Sequence, residues 1–261
     1  MNRQHRRRYG KSDPADAEGA ARSVLSGQAV ALPKTHDGIV ESIRTLHVVK
    51  RTAIKARTQA ANQMTNLIVT AADATRQELR GLTALKRARR AAAWRPADTF
   101  DPATVTRRAI RAHPRRWLDL STEINSHNTA LDQMIKLAAP TLVAELGVSR
   151  DVAANLLIAA GDNPQRIETE AGFAALCGVS PIAASSGKTT RHRLNRSGDR
   201  QANNALWTIA RVRLSHDPET RAYAEQRKTE GLSHREIVRC IKRYLARRLH
   251  PIILKDLAVL T

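Results

Sequence analysis

The sequence predicts a mainly α-helical protein, and three features of its composition support that prediction. Aromatic residues make up only 3% of the 261 residues, whereas hydrophobic residues make up 42%, which is enough to build a core. Apolar positions recur at three- and four-residue spacing, and no run alternates as a half-buried strand does. Lysine and arginine total 44 against 24 acidic residues, a formal net charge of +20 that indicates a polyanionic partner.

The charge and the hydropathy together exclude several classes of protein. Basic residues occur along the whole chain rather than in one tail, so the folded body itself is expected to meet the polyanion. A ribosomal or chromatin-like protein would share this balance, so the charge indicates a class of partner and no reaction. No apolar run approaches the roughly 18 residues of a membrane span, and no signal peptide is evident. We therefore expect a soluble, cytoplasmic protein without a membrane partner.

The two cysteines predict neither a disulfide framework nor a metal site. Cys177 and Cys240 are far apart, and neither has a cysteine or histidine at metal-ligand spacing. Each is therefore interpreted as a small core residue.

The N-terminal segment combines a basic run with the start of a helix. Asp13 suits an N-cap, Pro14 the first helical position and Asp16 the first turn, and Gly27 marks the stop. The basic run before this helix is interpreted either as a solvated chain end or as a contact with phosphate. Its cations include Arg6, Arg7, Arg8 and Lys11.

Two long helices are predicted next, over about 38–69 and 115–139, and their apolar residues form narrow, heptad-like seams. The first seam comprises Ile39, Ile43, Leu46, Ala53, Ala60, Met64 and Leu67, and the second Trp117, Leu120, Ile124, Leu131, Met134 and Leu137. Basic residues, among them Lys50, are expected on the other faces. A basic, proline-containing segment separates the two helices. The pattern predicts an antiparallel helical hairpin, or a dimer that forms through the same seams.

The chain changes character near Pro140, which we interpret as the boundary between a coiled arm and a compact C-terminal domain. Helices are predicted over 149–160, 168–177, 200–214, 218–230 and 233–249. A loop rich in small and polar residues lies in the middle of this domain and leads into a basic run. The basic side chains of the loop and the run include Lys188, Arg191, Arg193, Arg196 and Arg200.

Two groups of side chains could carry chemistry. Asp13 and Asp16 lie three residues apart on a helix and can offer two oxygens to a hard cation such as Mg²⁺, although first-turn acids are also ordinary caps. The run Ser185-Ser186-Gly187-Lys188 places a serine beside glycine in a cationic loop, where it can approach a phosphate; a flexible Ser-Gly loop is the alternative. His192 has no spacing that indicates a protease or esterase triad.

These motifs resemble those of one family of enzymes. Residues 9–18, YGKSDPADAE, are similar to the end of the RuvC-like nuclease domain of DEDD-type insertion-sequence transposases. Residues 173–181, FAALCGVSP, followed by SSGK at 185–188 and RSGDR at 196–200, resemble their C-terminal transposase domain. The motifs occur in the family's order, and the resemblance covers nearly all of the chain. It is to the insertion-sequence-110 type, whose members are recombinases guided by a bridge RNA.

The resemblance implies three segments. Residues 1–36 would be the C-terminal remnant of a RuvC-like domain, 37–139 a helical coiled-coil arm and 140–261 the transposase domain. The stretch from Gly147 to Ala160 matches the family's helix-hairpin-helix-like element, with Ser149 where relatives usually have a second glycine.

The resemblance also implies an active site and its partners. Asp13 and Asp16 would be the last two carboxylates of a Mg²⁺ site, and Ser186 would be the nucleophile that joins covalently to DNA. The site would be shared between subunits of a homodimer or homotetramer, and the partners in the bacterial cytoplasm would be DNA and a guide RNA.

The family's first Asp and its Glu lie on strands that this sequence lacks. If Met1 is the true start, half of the metal site is missing, and the chain is expected to bind nucleic acid without cutting it. The alternative to a transposase is therefore a non-catalytic DNA- or RNA-binding remnant. A purely structural helical scaffold would leave the net charge and the Ser-Gly loop without a role.

Overall fold

The structure, a computed structural model, describes residues 12–29, 32–184 and 192–259, and the chain divides into two units, 1–35 and 36–261. The first helix begins at a serine cap. The first unit contains α1 (Asp13–Leu25), and the Ser12 hydroxyl accepts a hydrogen bond from Ala15 N at 3.4 Å.

The predicted N-cap at Asp13 was one residue too late. Asp13 is the first helical residue and Pro14 the second, and proline is tolerated at either position because neither N–H has an intrahelical acceptor. Gly27 follows the helix with φ +67°, as its role as a stop predicts.

The second unit begins with an antiparallel helical hairpin. Its long helices are α2 (Ile39–Thr70) and α5 (Pro102–Ala138), and two short helices close the far end, α3 (Asp73–Leu79) and α4 (Ala84–Ala92). Ile43 near the start of α2 shares a hydrophobic cluster with Ile135 near the end of α5, whereas Met64 shares another with Ile110. The predicted hairpin is therefore present within one chain.

Two residues of the hairpin were assigned to the wrong face. Lys50 was placed on a face other than the seam but is buried, because its ammonium pairs with Asp151 at the start of a C-terminal helix. Leu137 was placed in the seam but is 67% exposed, and Ile135 and Ala138 are buried instead. The narrow heptad spacing shifts by one position here because the end of α5 packs against the C-terminal helices as well as against α2.

Helix α5 begins thirteen residues before its predicted start at Arg115. The Asp101 carboxylate caps Thr104 N at 2.9 Å, and the helix then continues through Pro114, whose side chain is buried. An internal proline costs one backbone hydrogen bond. Burial of Ile110 and of Pro114 itself offsets this cost, so the proline does not end the helix.

Six helices form the C-terminal part. They are α6 (Pro140–Val143), α7 (Arg150–Ala160), α8 (Glu170–Leu176), α9 (Arg200–His216), α10 (Pro218–Thr229) and α11 (His234–Ala258), with a 3₁₀ turn at Pro164–Ile167. The only strands in the described ranges are β1 (Ile182–Ala183) and β2 (His192–Arg193), so the prediction of a mainly α fold is confirmed. Helix α11 passes Pro251 and ends nine residues later than predicted, since Ile253 and Leu257 are buried.

One hydrophobic core joins the base of the hairpin to the C-terminal helices. It includes Val40 and Leu131 from the hairpin together with Phe173, Leu206 and Leu245. The domain boundary near residue 140 therefore stays a prediction, since the packing is continuous across it.

Two carboxylates distant in sequence cap helices around this core. Asp162 accepts from Val40 N and Glu41 N at 2.7 and 3.0 Å, and Asp256 accepts from Leu142 N at 2.8 Å. Both satisfy backbone donors that a helix start leaves unpaired. Among the described residues, no helix is long and apolar enough to cross a membrane.

The contrast between Leu131 and Leu137 predicts a difference in stability. Leu131→Ala should lower the free energy of unfolding by about 2–5 kcal/mol, because it leaves a cavity at a fully buried site. Leu137→Ala makes the same chemical change on the same helix and should cost less than about 0.5 kcal/mol. Urea denaturation followed by circular dichroism measures both; equal losses would contradict the packing described.

Candidate nucleic-acid interface

A short antiparallel ladder brackets the predicted nucleophile loop. Ile182 of β1 lies opposite Arg193 of β2, and Ala183 lies opposite His192. The loop itself, residues 185–191, lies outside the described residues, and so do four basic residues near the N-terminus. The predicted site residues that fall there are Ser186, Lys188, Arg191, Arg6, Arg7, Arg8 and Lys11.

Two glycines in close contact join the chain before β1 to the chain after β2. Both have positive φ, +64° at Gly178 and +89° at Gly198. A Cβ on Gly198 would lie 2.5 Å from Gly178 N and 2.6 Å from Leu176 O, which is too close for any side chain. The backbone hydrogen bond from Asp199 N to Leu176 O, at 2.7 Å, is the consequence of this approach. The segment 179–197 is thus closed at its base.

Asn203 of α9 connects the turn at Cys177 and Gly178 to α11. Its Nδ2 donates to Cys177 O and Gly178 O at 2.9 and 3.1 Å, and its Oδ1 accepts from Lys242 Nζ at 2.8 Å. Cys177 is fully buried beneath this turn, and burial, with a smaller effect from Asp199, raises the pKa of its thiol to about 12. The thiol is therefore protonated and structural, as its interpretation as a core residue predicts.

Three cations of the predicted basic run, Arg193, Arg196 and Arg200, lie within the described residues, and all three are exposed. Arg193 lies on β2, Arg196 follows it, and Arg200 is the first residue of α9. The Asp199 carboxylate caps that helix through Gln201 N and Ala202 N, at 2.7 and 2.9 Å. The cations thus stand at the helix start and along the strand that leads out of the loop.

A groove of about 670 Å³ runs beside the ladder, between β2 and the helices α10 and α11. Its lining includes six cations and one carboxylate, Arg193, Arg227, Arg239, Lys242, Arg243, Arg247 and Glu236. Tyr223 and Tyr244 also line it and are 39% and 57% exposed. A cationic groove that carries exposed aromatic rings can bind a polynucleotide, since cations contact phosphates and rings stack on bases.

The α11 wall of this groove was missed in the sequence analysis. Arg239, Arg243 and Arg247 recur at four-residue spacing, which places them on one face of α11. That periodicity was visible in the sequence, but it resembles the solvated face of any amphipathic helix. What distinguishes it is Glu170 on α8, which pairs with Arg243 and lies 3.8 Å from Arg247, and so orients the stripe.

The turn before α7 corresponds to the predicted helix-hairpin-helix-like element. Gly147 has φ +91°, and a Cβ there would lie 3.2 Å from Ile209 Cα, so this turn packs against α9. Ser149 is the N-cap of α7, in extended conformation. The assignment to a helix-hairpin-helix stays a prediction.

Asp13 and Asp16 both lie in the first turn of α1, Asp13 exposed and Asp16 half-buried. Oxygen donors spaced in this way fit two positions around a hard cation such as Mg²⁺. Within 12–29, 32–184 and 192–259, no group of three or more His, Cys, Asp or Glu side chains could hold a metal ion.

The described residues thus form a helical domain with a cationic groove beside the β1–β2 ladder, which is the class of a nucleic-acid-binding protein. Residues 141–225 match the model of the Transposase IS116/IS110/IS902 family. Over these residues the chain is similar to a transposase domain of this family, which confirms the resemblance to insertion-sequence-110-type transposases.

A curated relative agrees with this family. The Insertion element IS110 uncharacterized 43.6 kDa protein of Streptomyces coelicolor is 28% identical over 120 residues, which is 43% of this chain. The aligned region spans 29% of the length of that relative.

The contact between Gly178 and Gly198 predicts a specific sensitivity. Gly198→Ala should lower the free energy of unfolding by about 3 kcal/mol or more, because a methyl group overlaps the Gly178 backbone. Gly231→Ala is the matched control: φ is +87° there, but nothing lies within 4 Å of a Cβ, so only about 1 kcal/mol is expected. Thermal and urea denaturation compare the two, and a Gly198→Ala loss no greater than that of the control would exclude the close approach.

Proposed function

We propose that this protein acts as the transposase of an insertion sequence, with residues 140–261 binding nucleic acid and presenting Ser186 as the nucleophile. The observation that carries the proposal is the transposase-family match over 141–225, a range that contains the loop and the basic run behind it. The cationic groove beside the ladder supports it independently, because a strand bound there would pass close to the ends of the loop.

The proposed reaction is a transesterification. The Ser186 hydroxyl oxygen attacks a DNA phosphorus, a new O–P bond forms, and the bond from phosphorus to one deoxyribose oxygen breaks. The proton from Ser186 passes to solvent or base, and the departing oxygen becomes a free hydroxyl. The number of phosphoester bonds is unchanged, so a hydroxyl from another strand can reverse the step and complete the exchange. Arginines such as Arg193 and Arg196 would stabilise the charge that develops on the phosphate oxygens.

Asp13 and Asp16 would hold part of a Mg²⁺ site in this proposal. Their two carboxylates fit a hard cation, and such an ion, when bound, supplies charge stabilisation at a phosphoryl oxygen. We propose that further carboxylates complete the site and that Ser186 meets it from another subunit of a homodimer or homotetramer. The proposed partners are DNA and a guide RNA in the bacterial cytoplasm.

A second function needs only the groove. Six cations lining one groove account for binding to a polyanion without any bond being broken. On this alternative the protein is a DNA- or RNA-binding remnant, and Ser186 is a loop residue without a role in chemistry.

Substitution of Ser186 separates the two functions. With protein expressed from its own locus, Mg²⁺, guide RNA and DNA that carries the element's ends, Ser186→Ala should abolish the covalent protein–DNA adduct and leave the binding affinity nearly unchanged. Ser185→Ala removes a neighbouring hydroxyl and should retain the adduct. Denaturing gels detect the adduct and fluorescence anisotropy measures binding.

An adduct that forms at the parental rate in Ser186→Ala would contradict the assignment of the nucleophile. Salt-dependent binding with no adduct in any variant would support the non-catalytic alternative.

A further inference from the structure

Lys242 occupies an unusual position in the groove. It lies on α11 and lines the groove, yet the residue is only 7% exposed. Lysine is rarely buried to this extent unless a carboxylate balances its charge. The groove therefore has a cation in its floor, beneath the more exposed cations of its rim.

The hydrogen bond of Lys242 leaves its charge uncompensated by the described residues. Nζ donates to the neutral Asn203 Oδ1 at 2.8 Å, and the described residues form no ion pair between Lys242 and a carboxylate. Asn203 is held in this orientation because its Nδ2 donates to Cys177 O and Gly178 O. Its oxygen therefore remains directed at Lys242.

The other described cations on the helical wall differ from Lys242 in this respect. Arg227 pairs with Glu230. Arg239 has Glu236 at 3.6 Å, and Arg243 pairs with Glu170. These carboxylates pair with arginines at the rim of the groove. Lys242, the most buried cation of the groove, therefore has no counter-charge among the described residues.

A buried ammonium with a neutral partner is unfavourable, and the sequence tolerates it here. Burial first, and then repulsion from Arg239, lower the pKa of Lys242. An anion entering the groove would offset both effects, and it would find two N–H donors of Lys242 beyond the one given to Asn203.

We infer that the groove contains a subsite for one phosphodiester group of a nucleic-acid strand, bound at its floor by Lys242 and at its rim by Arg193 and Arg239. This inference rests on the proposed function, since it assumes that the domain binds nucleic acid. It assigns one phosphate contact to a residue of α11 rather than to the basic run. Phosphate fits because it is an anion that can accept hydrogen bonds from several donors at once. Lys242 thereby links the ligand to Asn203 and to the base of the Ser186 loop.

Charge removal at Lys242 tests the subsite. Lys242→Met keeps the length of the side chain and removes the charge, and it should weaken binding roughly tenfold. The magnitude of the slope of log affinity against log salt concentration should fall by about 0.9 for duplex DNA or about 0.7 for a single strand, because one phosphate contact is lost. Lys242→Arg keeps the charge and should restore most of the slope.

Lys255→Met is the matched control. Lys255 is an exposed residue of the same helix that does not line the groove, and its loss removes the same formal charge. Its slope should equal that of the parent protein. The probes are a duplex DNA, the same sequence as single-stranded DNA, and a single-stranded RNA, so the comparison identifies which phosphodiester occupies the subsite.

A lysine that only supports the fold would behave differently. In that case Lys242→Met would lower the melting temperature while the slope stayed that of the Lys255→Met control, and the inference would be overturned. A parent protein that binds none of the three probes would overturn the proposed function as well.

A measurement on the unsubstituted protein tests the subsite even if the Lys242→Met variant does not fold. The ¹⁵N signal of the Lys242 ammonium should shift when oligonucleotide is added, and that of Lys255 should not. Saturating binding with an unmoved Lys242 signal would contradict the subsite.

Discussion

The contact of Gly178 with Gly198 is the constraint on which the functional face depends. It brings together two points of the backbone twenty residues apart, and the intervening segment must leave and return through the β1–β2 ladder. Asn203 then connects this closed base to α9 and to Lys242 of α11. The chain thereby enters and leaves the segment 185–191 at defined positions beside a groove.

A protein with a net charge of +20 must also offset the repulsion among its cations within the fold. Carboxylates at the junctions of helices serve this purpose: Glu145 binds both Arg213 and Arg248 and joins the turn before α7 to α9 and α11. Burial would raise the pKa of Glu145, but hydrogen bonds from Arg248 and the charges of the two arginines lower it. Arg213 and Arg248 are thus paired at this junction, and six other cations line the groove.

The extent of the helices could be predicted where local signals agree with packing, and not where they conflict. Caps and turn residues located α1, α7 and α10 to within about two residues. The predicted ranges omitted residues 102–114 of α5 and 250–258 of α11, the stretches that contain Pro114 and Pro251. Burial of residues such as Ile110 and Ile253 outweighs the hydrogen bond that a proline removes, a tertiary effect that a single sequence does not reveal.

The basic run through Arg193 and Arg200 was recognised from composition. Lys242 was not, because its burial and its bond to Asn203 join residues 39 positions apart.

The central claim is that nucleic acid lies in the groove between β2 and α11, and photocrosslinking tests it most directly. A single-stranded DNA that carries a photoreactive pyrimidine should attach to Tyr223 or Tyr244, whose exposed rings line that groove. Mass spectrometry of the digested complex identifies the attached peptides. Attachment to α10 and α11 that is lost as salt rises is the predicted result, and attachment confined to the α2–α5 hairpin would contradict the account.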